Sequence, residues 1–163
     1  MFKDTKIRRE YLNKNNSLNI FNPPLMKKYQ LISHTADLGI EVYGRSREEI
    51  FLNSAYAMFD LITDLEKVQI KDKIELKAFS DDENELLIDW LRHLHSYYAV
   101  DEYLFRKFQI LDLTAHEVRG IAEGEKFNPE IHSIKKEIKA VTYHSMGIVK
   151  EKSLYKTQII FDV

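Results

Sequence analysis

From residue 26 onward, apolar and polar positions repeat with legible periods. "KYQLISH" (28–34) alternates as a strand does, and "LGIEVYGR" (38–45) places Leu38, Ile40 and Val42 on one face. The period then lengthens. In "SREEIFLNSAYAMFDLIT" (46–63), Ile50, Phe51, Ser54, Ala55, Met58, Phe59 and Ile62 recur every three or four residues, an amphipathic helical stripe. Ser46 is a good N-cap and Glu49 stands three residues on, the spacing of a capping box. "KVQIKDKIELKAF" (67–79) returns to alternation through Val68, Ile70, Ile74 and Leu76. A second helix is predicted in "SDDENELLIDWLRHLHSYYAVDEY" (80–103), capped by Ser80, Asp81 or Asp82. Its buried face would hold Leu86, Leu87, Trp90, Leu91, Leu94 and Tyr98. The remainder reads as strands: "LFRKFQILDLT", "HEVRGIAEGEKF", "EIKAVTYHSMGIVKE" and "SLYKTQIIFDV".

Two helices among strands, with a run of strands at the end, predict an α+β fold: a two-layer sandwich of a mixed or antiparallel sheet with two main helices packed on one face. One apolar stripe per helix leaves the opposite sheet face to be solvated, covered by the tail, or docked to a partner. Residues 1–25 break the pattern. They are basic, rich in Asn and closed by Pro23-Pro24, with no sustained periodicity. We expect a flexible N-terminal extension there and a folded domain over 26–163. A basic arm touching RNA or a protein partner is a second reading. Upstream sequence joined by a misassigned start, with Met26 as the true beginning, is a third.

Composition narrows the class. A chain of 163 residues, 44% hydrophobic and 31% charged, fits one domain with a real core. The net charge of −2 offers no field that would attract polyanions to the whole molecule. Cysteine is absent, so disulfides and thiolate metal sites are excluded. No stretch approaches the roughly 18 apolar residues of a membrane span, and the N-terminus lacks the apolar core of a secretory signal. A soluble, cytoplasmic protein is expected.

Candidate chemistry sits where polar residues interrupt the apolar pattern. In "HTADLG", His34, Thr35 and Asp37 occupy a short joint between two strands. This reads either as a turn, with Thr and Asp bonding local backbone, or as an oxygen-ligand metal site or acid/base pair. "IIFDV" ends the chain with Asp162 beside the Val163 carboxylate. Either the end is simply solvated, or the two anions and another acid surround a hard cation, whose charge offsets their repulsion. Around "PEIHSIKKEIKAVTYHSM", His132, Lys139, Tyr143 and His144 are dense; they form a solvated strand face or a set of phosphate contacts. On an extended strand Lys139 and His144 would face opposite sides, while Lys139, Val141 and Tyr143 share one. His93 and His95 sit two apart on a helix, which separates their directions, and His116 reads as a mid-strand residue. No HExxH, P-loop, GxGxxG or GxSxG occurs.

Taken together, "HTADLGIEVYG", "NSAYAMFDLITD", "ENELLIDWLRHLH", "EIKAVTYHSM" and the terminal "FDV" resemble the archease family, in the expected order from about Tyr29 to Val163. The resemblance implies a small accessory protein of the GTP-dependent RNA-splicing ligase. Such a protein promotes guanylylation of the ligase and its repeated turnover in tRNA splicing and RNA repair, and is not itself an enzyme. It implies a divalent metal, calcium foremost, with magnesium or manganese as alternatives. The metal positions carry over to Asp37, Asp162 and Val163, the last through main-chain or terminal oxygens. Proximity to the site carries over to Lys139 and His144, and His34 of the same joint is a further candidate contact. The implied partner is the ligase, with tRNA or other RNA met indirectly through it, and no membrane. Competing readings are a small metal-dependent phosphodiesterase or nucleotide hydrolase using the same carboxylates, and a general RNA or protein chaperone module.

Overall fold

The computed structural model describes residues 26–33, 36–142 and 147–163. The expectations for residues 1–25 and for His34, Thr35, Tyr143 and His144 lie outside the described residues.

Strands β1 (Tyr29–Ile32) and β2 (Leu38–Gly44) lead into helix α1 (Arg47–Ile62). Ser46 caps α1 as expected, its Oγ accepting from the Glu49 amide at 3.1 Å. The reciprocal arm of the capping box is displaced by one residue: the Glu49 carboxylate accepts from the Arg45 amide at 2.7 Å. A short 3-10 turn (Leu65–Lys67) follows α1, and β3 begins only at Asp72 and runs to Phe79. Val68 and Ile70 therefore precede the strand into which alternation had placed them. Val68 is buried while Ile70 is half exposed, because the 3-10 turn resets the side-chain phase. Helix α2 (Glu83–Asp101) starts at Asp82, whose carboxylate accepts from the Asn84 amide at 2.7 Å. It ends on Glu102 in the left-handed region, φ 59°. Strands β4 (Tyr103–Leu113), β5 (Glu117–Lys126), β6 (Ala140–Thr142), β7 (Val149–Glu151) and β8 (Leu154–Asp162) complete the chain.

The strands divide into two sheets, and every described pairing is antiparallel. The first runs β1-β2-β8-β6, with β7 also on β8; the second runs β3-β5-β4. The expected α+β architecture is present. The division into two sheets is a tertiary feature, since alternation marks strands but not their neighbours. Helix α1 packs on β2 of the first sheet and β4 of the second; α2 packs on β3 and β5 of the second and β6 of the first. One helical pair thus covers an inner face of each sheet.

The core is continuous across this arrangement. Ile40, Val42, Ile159 and Phe161 from the first sheet meet Phe51, Phe59 and Met58 of α1 and Trp90, Leu91 and Leu94 of α2. All are essentially inaccessible to water, and each such side chain contributes roughly 1.5–3 kcal/mol by leaving it. Gly120 makes room for Trp90: a Cβ there would lie 2.7 Å from the indole ring.

The outer face of the first sheet carries a polar ladder. Glu41 accepts from the Tyr43 hydroxyl at 2.5 Å and from Gln158 Nε2 at 3.2 Å. These bonds, the Tyr43 one foremost, hold the Glu41 carboxyl below its usual range. Desolvation, then the Glu41 bond and charge, push the Tyr43 hydroxyl up to about 12. Such a face is built to stay in water.

Candidate functional site

The candidate site lies where β2 begins and β8 ends. The two strands pair antiparallel from Leu38 opposite Phe161 to Gly44 opposite Tyr155. This register is set by apolar packing: Ile40 lies opposite Ile159, and both are fully buried under the helices. A slip of one residue would turn that apolar row outward. As a consequence Asp37 stands immediately before the last pair and Asp162 immediately after it. Two residues 125 positions apart in sequence therefore flank the same Leu38–Phe161 step. Asp37 is half-buried; Asp162 is exposed, and the terminal Val163 is 41% exposed.

Strand β6 closes the other side of this corner. Ala140 pairs with Asp162, and the Lys139 amide donates to the Asp162 carbonyl oxygen at 2.8 Å. Lys139 thus lies beside the chain end, with its side chain exposed. The strand starts only at Ala140, so the expected shared face for Lys139 and Val141 does not extend to Lys139: Val141 is buried and Lys139 is not.

The chemistry of the donors can be compared with a hard cation directly. Asp37, Asp162 and the Val163 carboxylate are oxygen donors, the kind that calcium, magnesium and manganese take. Among the described residues, no group of three or more His, Asp or Glu side chains is placed to hold a metal ion. The third donor implied by the resemblance would be main-chain, at Val163. His34 and His144, the other candidates, lie outside the described residues.

His93 is exposed, whereas His95 and His116 have structural occupations. His95 Nε2 lies 2.6 Å from the Ile138 carbonyl, which ties α2 to the segment entering β6. His116 sits in the turn between β4 and β5, not mid-strand, with Nδ1 3.1 Å from the Ser80 carbonyl.

His132 is buried and belongs to a network that sequence reading did not find. Its Nδ1 accepts from the Asn128 amide at 2.9 Å, so the proton sits on Nε2, which donates to Glu125 Oε1 at 2.9 Å. Glu125 is 3% exposed and also accepts from the Gln69 amide at 2.8 Å and from Lys71 Nζ at 2.6 Å. Burial alone would raise this carboxyl. The Gln69 bond, Lys71 and His132 outweigh burial and hold it below the ordinary carboxylate value. Glu125 and His132 stand seven positions apart, across the end of β5 and the turn after it, and no local spacing rule reports such a pair. The network anchors the loop before β3 and the turn after β5; every polar atom it uses is satisfied, as a structural ion cluster requires.

Comparison with known proteins follows this geometry. The model of the archease protein family matches residues 29–163. The archease protein of Methanosarcina mazei is 40% identical over 145 residues, 86% of this chain and 99% of that one. That of Sulfolobus acidocaldarius is 40% identical over 139 residues, 85% of this chain and 100% of its own. Among solved structures, protein 1598 of Methanobacterium thermoautotrophicum superposes with a TM-score of 0.73 at 35% identity, covering 85% of this chain and 100% of that one. An archease from Thermotoga maritima, described as a possible chaperone, shares the fold at a TM-score of 0.52 and 20% identity, covering 82% and 96%. Matched over all but its first 28 residues, with its described helices and antiparallel sheets in common with a solved relative, the chain belongs to the archease family.

Proposed function

We propose that this chain is a metal-binding accessory protein that activates a GTP-dependent RNA-splicing ligase in the cytoplasm. It promotes guanylylation of the ligase and multiple turnover in tRNA splicing and RNA repair, and performs no catalysis of its own. Family membership supports this reading. The single structural observation that favours it is the Leu38–Phe161 pairing, which gathers Asp37 and Asp162 at one corner with the chain terminus.

Asp37, Asp162 and the Val163 carboxylate would hold the ion, calcium foremost, with magnesium or manganese as alternatives. Bound there, it supplies positive charge at the molecular edge, where a phosphate of the ligase reaction can meet it. Three protein donors leave part of a calcium shell to water or to a partner's oxygens. Lys139 adds an exposed ammonium beside the same corner. His34 and His144 are proposed as further contacts. A chaperone-like part in the ligase cycle is compatible with these roles.

The test is a turnover count. The cognate ligase with GTP, manganese and RNA ends should ligate repeatedly when wild type is added, and stall after about one turnover with Asp162→Ala. Equal stimulation by that variant would overturn the assignment of the site. Nucleotide hydrolysis by this protein alone, lost in the same variant, would favour the phosphodiesterase or hydrolase reading instead.

A further inference from the structure

The other end of β2 carries a different surface. Strand alternation predicts that Phe105 and Phe108, three residues apart, face opposite sides of β4. They do not. Phe105 lies 5.4 Å and Phe108 5.8 Å from the same Phe59 ring, centroid to centroid. A β-bulge reconciles this: Phe105 pairs with Gly124 and Lys107 with Glu123, so Arg106 is an extra residue in the strand. The bulge brings both phenylalanines onto the core and leaves two consecutive cations, Arg106 and Lys107, on the exposed side.

Both residues are among those lining a cavity of about 440 Å³ formed with α1 and the segment leading into β1. Lys28 and Arg45 line it as well, and Glu49 is the one acid among its lining residues. The Glu49 carboxylate already accepts from the Arg45 backbone amide, 2.7 Å away. Among the described residues Lys28 and Arg45 form no ion pair. Lys28 instead rests over the Tyr56 ring, 3.9 Å from its centroid. Arg106 spends one N–H on the Val68 carbonyl at 3.2 Å. Lys107, itself exposed, pairs with the half-buried Glu123 at 3.3 Å, and a ligand anion would compete with that carboxylate for the ammonium. Four cations against the single Glu49 carboxylate leave the lining net positive, a balance that an anion would offset.

We propose that this cavity is a binding site for a phosphate-bearing ligand of nucleotide class. Two guanidinium groups suit paired oxygens of a phosphate better than a single carboxylate needs. Half-buried Tyr56 and Phe108 supply apolar wall for a sugar or base. The volume is that of a small-molecule site. It is separate from the Asp37–Asp162 corner. Arg45 follows one end of β2 and Asp37 precedes the other, roughly 25 Å away along an extended strand. The site therefore does not rest on the metal reading.

The experiment uses the full chain alone, in EDTA, at low salt. Pyrophosphate, ADP and a short 5′-phosphorylated single-stranded RNA are titrated by calorimetry, with amide NMR shifts recorded in parallel. Binding should shift the Arg45 and Lys107 amides, weaken on adding salt, and fall about tenfold in Arg45→Gln and in Arg106→Gln. Asp162→Ala should bind as wild type does. Tighter binding of ADP than of RNA assigns a free nucleotide; the reverse assigns a strand end. If Arg106→Gln unfolds early for want of its Val68 bond, a Lys28→Gln/Arg45→Gln double variant carries the comparison. Silence from all three probes at millimolar concentration, or undiminished affinity in the variant pair that keeps the wild-type melting point, overturns the proposal.

Discussion

The main-chain amide of Lys139 donates to the carbonyl oxygen of Asp162 at 2.8 Å. That bond places the exposed lysine beside the last two residues of the chain and occupies one acceptor direction of the Asp162 carbonyl. Asp162 and Val163 are both exposed beside it, and their oxygens are those the proposed cation would take.

Removing the terminal carboxylate should therefore weaken metal binding without unfolding the protein. Appending two residues after Val163 converts that carboxylate into an amide carbonyl, while β8 keeps its pairs to β2 and β6 through Asp162. Calcium titration should show about tenfold weaker binding in the extended chain and in Asp37→Asn, because ligand charge count tunes affinity. Identical affinities across wild type and both variants would exclude the corner as the site.

Glu125 should be worth more to stability than any exposed ion pair. Glu125→Gln takes the anion from buried His132 and from the exposed Lys71, and a loss of about 3 kcal/mol, the upper end for hydrogen bonds to a charged group, is expected. For a chain of this size that is a melting point lower by roughly 6–12 °C.

The same substitution has a pH signature. The Glu125 carboxyl titrates below its ordinary value of 4.5 in the fold. A depressed acid contributes stability that is whole above the unfolded-state value and is lost as pH falls through the folded-state one. The melting difference between wild type and Glu125→Gln should be full at neutrality and shrink steadily below about pH 4.5. A difference that grows on acidification would contradict the network.

Tyr29 tethers the edge strand β1 to α1, its hydroxyl donating to Asp60 Oδ2 at 2.6 Å. Tyr29→Phe keeps the ring and loses the bond, a cost of about 1 kcal/mol. Hydrogen exchange should report it locally, with faster exchange at β1 amides bonded to β2 and little change in β5. Uniform acceleration through both sheets would mean that the bond supports global stability instead.

Gly124 tolerates no side chain. A Cβ there would collide with the Leu104 carbonyl oxygen, and backbone cannot swing aside as a side chain can. Gly124→Ala should destabilise by about 3 kcal/mol, the upper end for overpacking. Gly39→Ala, whose nearest neighbour is the Ile32 side chain at 2.8 Å, should cost less. Denaturant midpoints of the two variants rank them; the reverse order would show that β4 yields at the bulge.

Much of the fold could be read from periodicity. The Ser46 and Asp82 caps, both helical stripes and the strands around Leu38–Gly44 and Leu154–Asp162 follow rules that span only a few residues, and the chain obeys them. The misplaced onset of β3 has a local cause as well, a 3-10 turn that shifts side-chain phase without leaving a strong sequence mark. The Phe105/Phe108 spacing did carry a trace of the bulge, since an odd offset between two large apolar residues breaks strand alternation.

Residue types and local order thus set which segments are helices or strands, which faces are apolar, and that Asp37 and Asp162 interrupt apolar runs. Tertiary structure alone decided that β2 and β8 are neighbours in a register that brings those two acids to one corner, that the strands form two sheets around one helical pair, and that Glu125 meets His132 out of water. The reason is range: periodicity acts across one turn or one pleat. Strand pairing between residues more than a hundred positions apart is chosen by which apolar faces, once formed, can be buried together.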